Sequence, residues 1–242
     1  MSGGTQRSTW SRRLDAPIER LLRLDERIVD RVDPRPTGPV DLARIPWSSA
    51  VREQWMTVRD ELDTALDAGV RFPHNDDLVG AEQGAEGTWF TSVLSWYGRW
   101  PAATCDRFPR TTEILREVPG LQIAGFTVLG GHSHLPGHQG PSKSLRYQVG
   151  IRVPEPTGSC RLRIGDSTVT WADGEHTAFD DRTYHEAWND SDDARYVLFV
   201  QVGWPVSGPI GTLHRAVHRL YGASYAHIPA RAVELDRSLN PR

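Results

Sequence analysis

The spacing of apolar residues along this chain changes near residue 88. Between residues 10 and 32, Ile18, Leu21, Leu22, Ile28, Val29 and Val32 recur at helical intervals, and Asp15 followed by Pro17 suits a helix start. The polar face interleaves arginines with Asp15, Glu19, Asp25, Glu26, Asp30 and Asp33. A membrane-surface helix would be more one-sidedly basic, so this one reads as a packing or dimerisation helix. Residues 33–39, DPRPTGP, have the composition of a linker. A second helix is predicted over residues 48–68, with Val51, Trp55, Val58, Leu62, Ala65 and Leu66 on one stripe. Residues 69–87 collect Gly, Pro, Asn and Asp and read as a loop.

From Thr88 the texture becomes that of strands. Runs at 89–98, 122–129, 144–153, 160–165, 167–171, 176–180, 186–189 and 195–204 are short, β-branched and aromatic. Turns such as EPTG and ADGE separate them, which argues for a barrel or jelly roll and against βαβ units. A short helix is predicted over 110–117 and a last one near 211–221. The expected division is a helical region over 1–88, a β core over 89–205, and a C-terminal helix and tail over 206–242.

Composition narrows the function classes. The 242 residues carry 28 basic and 31 acidic side chains, so no basic surface is expected for nucleic acid. No apolar run approaches the roughly 18 residues of a membrane helix. The start, MSGGTQRSTWSRR, has no apolar stretch of a secretory signal, so Cys105 and Cys160 are expected as reduced thiols in a cytoplasmic protein.

The candidate chemistry lies in the β region. His138 ends the segment GGHSHLPGHQGP, and His185 precedes a strand in FDDRTYHEAWN. Arg195 opens the next strand after a tight NDSDD turn; if those two strands pair, His185 and Arg195 are neighbours across the pair. In SLRYQVGIRV a period of two puts Arg146, Gln148, Gly150 and Arg152 on one face. Arginine and glutamine facing inward require an anionic partner. Two neutral imidazoles beside inward guanidiniums suit a divalent transition metal with a dicarboxylate.

These residues stand in a recognisable order. The segments CDRFPRTTEILREVPG, FTVLGGHSHLPGHQGP and LRYQVGIRVP, with the run from Cys160 to Pro205, resemble the aspartyl/asparaginyl β-hydroxylase family of Fe(II)/2-oxoglutarate oxygenases. The resemblance implies a double-stranded β-helix (jelly-roll, cupin-like) core with flanking helices. It implies iron ligated by His138 and His185, with Gly140 where other oxygenases carry an acidic ligand and water completing the shell. It further implies that Arg195, helped by Thr127, grips the distal carboxylate of 2-oxoglutarate, and that Arg146 contacts the end near the iron. Where family members often have histidine two residues after that arginine, this chain has Gln148, which still donates a hydrogen bond but carries no charge.

The implied activity is O2-dependent hydroxylation of an unactivated C–H bond, with 2-oxoglutarate converted to succinate and CO2. A small-molecule substrate, amino-acid-like, carrier-bound or a natural-product intermediate, is expected. Oxidative cyclisation or desaturation at the same site and a non-catalytic jelly-roll binding module are the alternatives, and a lipid substrate ranks third because no membrane anchor is expected. His132 and His134 are expected to be loop residues, Asp180 and Asp181 to shape the turn before His185, and Trp171 and Trp188 to pack the core. His74-Asn75-Asp76 is a literal HxD, a rival ligand pair that precedes the first convincing strand.

Overall fold

The computed structural model describes residues 16–80 and 82–241, so the part of the first predicted helix before Ala16 lies outside the described residues. These residues form two antiparallel sheets. Numbered in chain order, β1 (Trp89–Trp96), β2 (Leu121–Leu129), β9 (Arg195–Gly203), β4 (Ser144–Arg152) and β7 (His176–Asp180) lie side by side in a five-stranded sheet. The second sheet has the order β3 (Ser133–His138), β8 (His185–Asn189), β5 (Cys160–Ile164) and β6 (Ser167–Thr170). Leu129, Phe179 and Val197 of the first pack against Cys160, Leu162, Ile164 and Ala187 of the second. This is the expected double-stranded β-helix.

The two sheets treat their outer faces differently. On the four-stranded sheet alternation is plain: His185, Ala187 and Asn189 are buried while Glu186 and Trp188 look outward. Trp188 therefore does not pack the core as expected; it stacks on His134 with ring centroids 5.3 Å apart and lies under Arg161. Trp171 is buried in the sandwich.

The five-stranded sheet is covered outside as well. Leu145, Tyr147, Val149 and Ile151 of β4 pack with Val51 of α2 (Trp47–Glu53) and with Val58 and Leu62 of α3 (Trp55–Asp67). Val58 and Leu62 are fully buried, each contributing about 1.5–3 kcal/mol by removal from water. With Leu145 and its alternates under the helices, Arg146 and Gln148 face the inter-sheet cavity.

The single helix predicted over 48–68 is thus two, separated at Gln54 (φ −97°, ψ 9°). Gln54 is no helix breaker by propensity. Tertiary contacts flank the bend: Trp55 sits against Gly174 and Arg52 Nε donates to the Gly174 carbonyl at 3.3 Å.

Further helices flank the core: α1 (Ala16–Val32), α4 (Asn75–Val79), α5 (Ala102–Cys105), α6 (Pro109–Arg116), α7 (Gly208–Ser224) and α8 (Ile228–Leu239). Helix α1 lays Ile18, Leu21 and Leu22 against Val217 and Tyr221 of α7. No helix among the described residues is long and apolar enough to cross a membrane. Sequence pattern missed α8 and β3, and with them the short helices α4, inside the expected loop over 69–87, and α5. Strand β3 contains Pro136 and Gly137, and its register with β8 shifts between Leu135 and His138, as expected where proline sits in an edge strand.

Candidate active site

Pairing of β3 with β8 sets His138 directly opposite His185, with ring centroids 4.2 Å apart. Each Nδ1 lies 2.8 Å from a backbone carbonyl, that of Pro136 for His138 and that of Thr183 for His185. A carbonyl only accepts, so each ring carries its proton on Nδ1 and keeps an Nε2 lone pair. Burial lowers the pKa of both rings, that of His185 strongly, with His138 and Arg146 adding to the effect on His185. Two neutral imidazoles with free Nε2 atoms are what a divalent transition metal binds.

Asp181 is the residue that sequence reasoning placed elsewhere. Asp180 does shape the turn, its carboxylate accepting from the Arg182 N–H at 2.9 Å. Asp181 instead lines the cavity, 1% exposed, with Oδ1 3.9 Å from His185 Nε2. Arg146 Nε is 2.9 Å from the same oxygen, yet its N–H is not directed there, and neither Asp181 oxygen accepts a hydrogen bond. A Cβ on Gly140 would overlap Asp181 Oδ2. The carboxylate thus occupies the space that a side chain at position 140 would need. Nothing in the sequence separates Asp181 from Asp180; the close approach to Gly140 exists only in the fold.

Arg195 lies deeper between the sheets, 5% exposed, its guanidinium 5.9 Å over the Trp171 ring. Its Nε and Nη1 have no hydrogen-bond partner. Burial pushes its pKa down to about 10, opposed by the nearby Cys160. Strands β8 and β9 do not pair as the turn between them suggested; they belong to opposite sheets. Asn189 anchors the crossover by donating to the carbonyls of Leu129, Gly130 and Asp193 at 2.8–2.9 Å. His185 and Arg195 therefore meet across the cavity and not along a ladder.

Thr127, Gln148 and Arg146 line the same cavity. Thr127 Oγ1 accepts from Trp89 Nε1 at 2.8 Å. Arg146 donates from Nη2 to Gln201 Oε1 at 3.0 Å and packs 5.7 Å over Phe199. All six sequence-selected residues thus reach one cavity. His132 pairs with Asp192 and His134 with Glu186, both at 2.8 Å and away from it. His74 and Asp76 are likewise outside; His74 caps α4, and Asp76 accepts from Gln83 N–H at 3.0 Å.

The residues fit the implied groups. A buried guanidinium with two unused donor atoms suits a carboxylate, and two Nε2 lone pairs beside a carboxylate without hydrogen bonds suit a metal ion with a bound water. Two guanidiniums against one carboxylate leave the charged lining net positive, which favours an anionic ligand.

Fold and cavity together define a double-stranded β-helix protein with a two-histidine, guanidinium-lined site between its sheets. Residues 52–205 match the family model for Aspartyl/Asparaginyl beta-hydroxylase, and the chain belongs to that family. It is 30% identical over 183 residues to the Ornithine lipid ester-linked acyl 2-hydroxylase of Rhizobium tropici, covering 74% of this chain and 65% of that protein. It is 27% identical over 185 residues to the human Aspartyl/asparaginyl beta-hydroxylase, covering 73% of this chain and 23% of that protein. The chain therefore spans less than two thirds of either relative. Among solved structures, a Schizosaccharomyces pombe cupin domain aligns with 47% of this chain and 60% of its own at 9% identity, with a TM-score of 0.33.

Proposed function

We propose that this chain is an Fe(II)- and 2-oxoglutarate-dependent oxygenase that hydroxylates an unactivated C–H bond. The observation that carries the reading is Arg195, a buried cation with unused donors in the cavity that also holds the free Nε2 atoms of His138 and His185. Those two histidines would hold the iron, with Asp181 beside them to orient a water. Arg195 and Thr127 would bind the far carboxylate of 2-oxoglutarate, and Arg146 with Gln148 would face its other end. Iron, 2-oxoglutarate and O2 would together supply the oxidation, releasing CO2 and succinate as one oxygen atom enters the substrate. The sheets and flanking helices keep the reacting atoms away from bulk water.

The remaining wall points to the substrate. Leu78 and Val79 of α4, Val93 and Trp96 of β1, and Ile123 of β2 line the cavity with apolar surface. A small or carrier-bound molecule presenting an apolar segment fits that wall better than a charged side chain does. The relative from Rhizobium tropici, named for an acyl group, is compatible with that choice. Cytoplasmic residence and assembly through α1 remain part of the proposal.

The test is direct. Fe(II) and 2-oxoglutarate added without oxygen should give a weak visible charge-transfer band, and aerobic incubation should release succinate. Iron-loaded protein that gives neither sinks the proposal in favour of a binding module. In a substrate screen, a product heavier by one oxygen supports hydroxylation, whereas loss of two hydrogens points to cyclisation or desaturation.

A further inference from the structure

Beside the cavity, where α7 supplies Tyr221 to its lining, Asp25 of α1 meets His214 and His218 of α7, each 3% exposed or less. Asp25 Oδ2 is 2.7 Å from His214 Nδ1 and 3.7 Å from His218 Nε2. Two imidazoles and a carboxylate at such distances resemble a metal site. The hydrogen bonds oppose that reading. The backbone N–H of Trp204 points at His214 Nε2 from 3.0 Å. An N–H only donates, so Nε2 accepts and the ring's proton sits on Nδ1, toward Asp25. A metal on Nδ1 would move that proton to Nε2 and set it against the Trp204 N–H.

Donor and acceptor roles are fixed in the same way outward from the cavity. A guanidinium has no acceptor, so Arg146 Nη2 must donate to Gln201, fixing Oε1 as the atom 3.0 Å away. Gln201 Nε2 then donates to Gln122 Oε1 at 3.3 Å. That fixes Gln122 Nε2 as the donor to His218 Nδ1 at 2.9 Å. His218 must carry its proton on Nε2, the atom facing Asp25, which has no nearer partner. Every donor therefore points the same way, from a cation at the cavity to a carboxylate between two helices. Gln122, Gln201 and His218 are 7%, 3% and 1% exposed, so water does not compete.

Local backbone geometry supports the connection. The register of β2 against β9 shifts between Leu121 and Ile123, leaving Gln122 as an extra residue in its strand. Such a bulge re-aims a side chain, and here that side chain bridges α7 and the sheet. Burial and the adjacent His214 push the His218 pKa down to about 3, so its ring stays neutral at ordinary pH.

We infer that Gln122 and His218 are positioning residues that hold Arg146 by way of Gln201 through a one-way chain of hydrogen bonds, with Asp25 3.7 Å beyond His218 as the charge at its far end, coupling α1 and α7 to the 2-oxoglutarate end of the cavity. The inference rests on the role proposed for Arg146. Its test begins on the metal-free protein. Nitrogen-15 NMR should find His214 protonated on Nδ1 and His218 on Nε2, with opposite tautomers in adjacent rings. The Arg146 Nη–H signals should exchange slowly with solvent in the native protein and faster in His218→Phe and Gln122→Leu.

In Mn(II)-loaded protein without oxygen, both variants should weaken 2-oxoglutarate binding roughly 5-fold or more, the worth of one buried hydrogen bond. Their Mn(II) affinity should stay within about twofold, since neither change touches His138 or His185. Two variants at different links guard against one that merely misfolds, which circular dichroism would reveal. Identical tautomers in the two rings, or unchanged Arg146 exchange in both folded variants, overturn the inference. So does a second equivalent of Zn(II) bound by the native protein and lost in His218→Phe. If native protein binds no 2-oxoglutarate, the proposed function fails, while the tautomer and exchange readouts still decide the chain of hydrogen bonds.

Discussion

Replacing Arg195 by Met should move stability and ligand binding in opposite directions. In the ligand-free protein this guanidinium is 5% exposed, and two of its nitrogens are without a partner. Its pKa is pushed down to about 10 by burial, and at about 1.4 kcal/mol per pH unit that depression is worth roughly 3 kcal/mol. The sign follows from proton binding: the unfolded chain holds this proton more tightly, so stability rises only as pH climbs past about 10. At neutral pH the whole penalty is present. Methionine keeps most of the stem's packing and removes the charge, so the ligand-free variant should gain on the order of 1–3 kcal/mol, seen as a higher midpoint in urea. Removing a buried charge-assisted partner typically costs about 2–4 kcal/mol of binding, or roughly 30- to 1,000-fold in the 2-oxoglutarate dissociation constant. Urea melts of ligand-free protein, beside calorimetric titration of 2-oxoglutarate into Mn(II)-loaded protein, measure both. A variant that is less stable and binds 2-oxoglutarate normally would refute the reasoning, since Arg195 would then serve the fold.

Three further expectations can be checked with modest effort. His138→Ala should abolish tight Fe(II) binding in equilibrium dialysis, whereas Asp76→Ala should leave it unchanged, because Asp76 lies outside the cavity. Gly140→Ala places a Cβ on Asp181 Oδ2, so it should lower stability by about 1–3 kcal/mol and weaken metal affinity through the displaced carboxylate. Finally, stability should fall as pH drops below the ordinary histidine range. The folded pKa of His218 is about 3, so the unfolded chain binds the extra proton, at a cost of about 2 kcal/mol by pH 5 for this residue. The acid limb should be shallower in His218→Gln, and an unchanged limb would show that His218 titrates normally in the fold.

Much of the molecule was legible because the relevant signals are local. Alternation in CRLRI and SLRYQVGIR requires only that successive side chains point to opposite faces, so the strands and the inward Arg146 and Gln148 followed. Helix α8 was missed although Ile228, Ala232 and Leu235 fall at helical spacing and pack together, and β3 because Pro136 and Gly137 disguise an edge strand. Gln54 contains no signal for a break, and the residues on either side of it, Arg52 and Trp55, meet Gly174 far along the chain.

The site divides along the same line. The residue types and the order of His138, Arg146, His185 and Arg195 are properties of the sequence, and they sufficed to select the cavity's polar lining. Which neighbouring aspartate enters that cavity, whether β8 and β9 share a sheet, and how Gln122 reaches His218 are not. Each depends on a pairing partner or a register shift set by residues tens of positions away. Two adjacent aspartates look equivalent in one dimension; only the closing of two sheets leaves Asp180 in the turn and sets Asp181 against the missing side chain of Gly140.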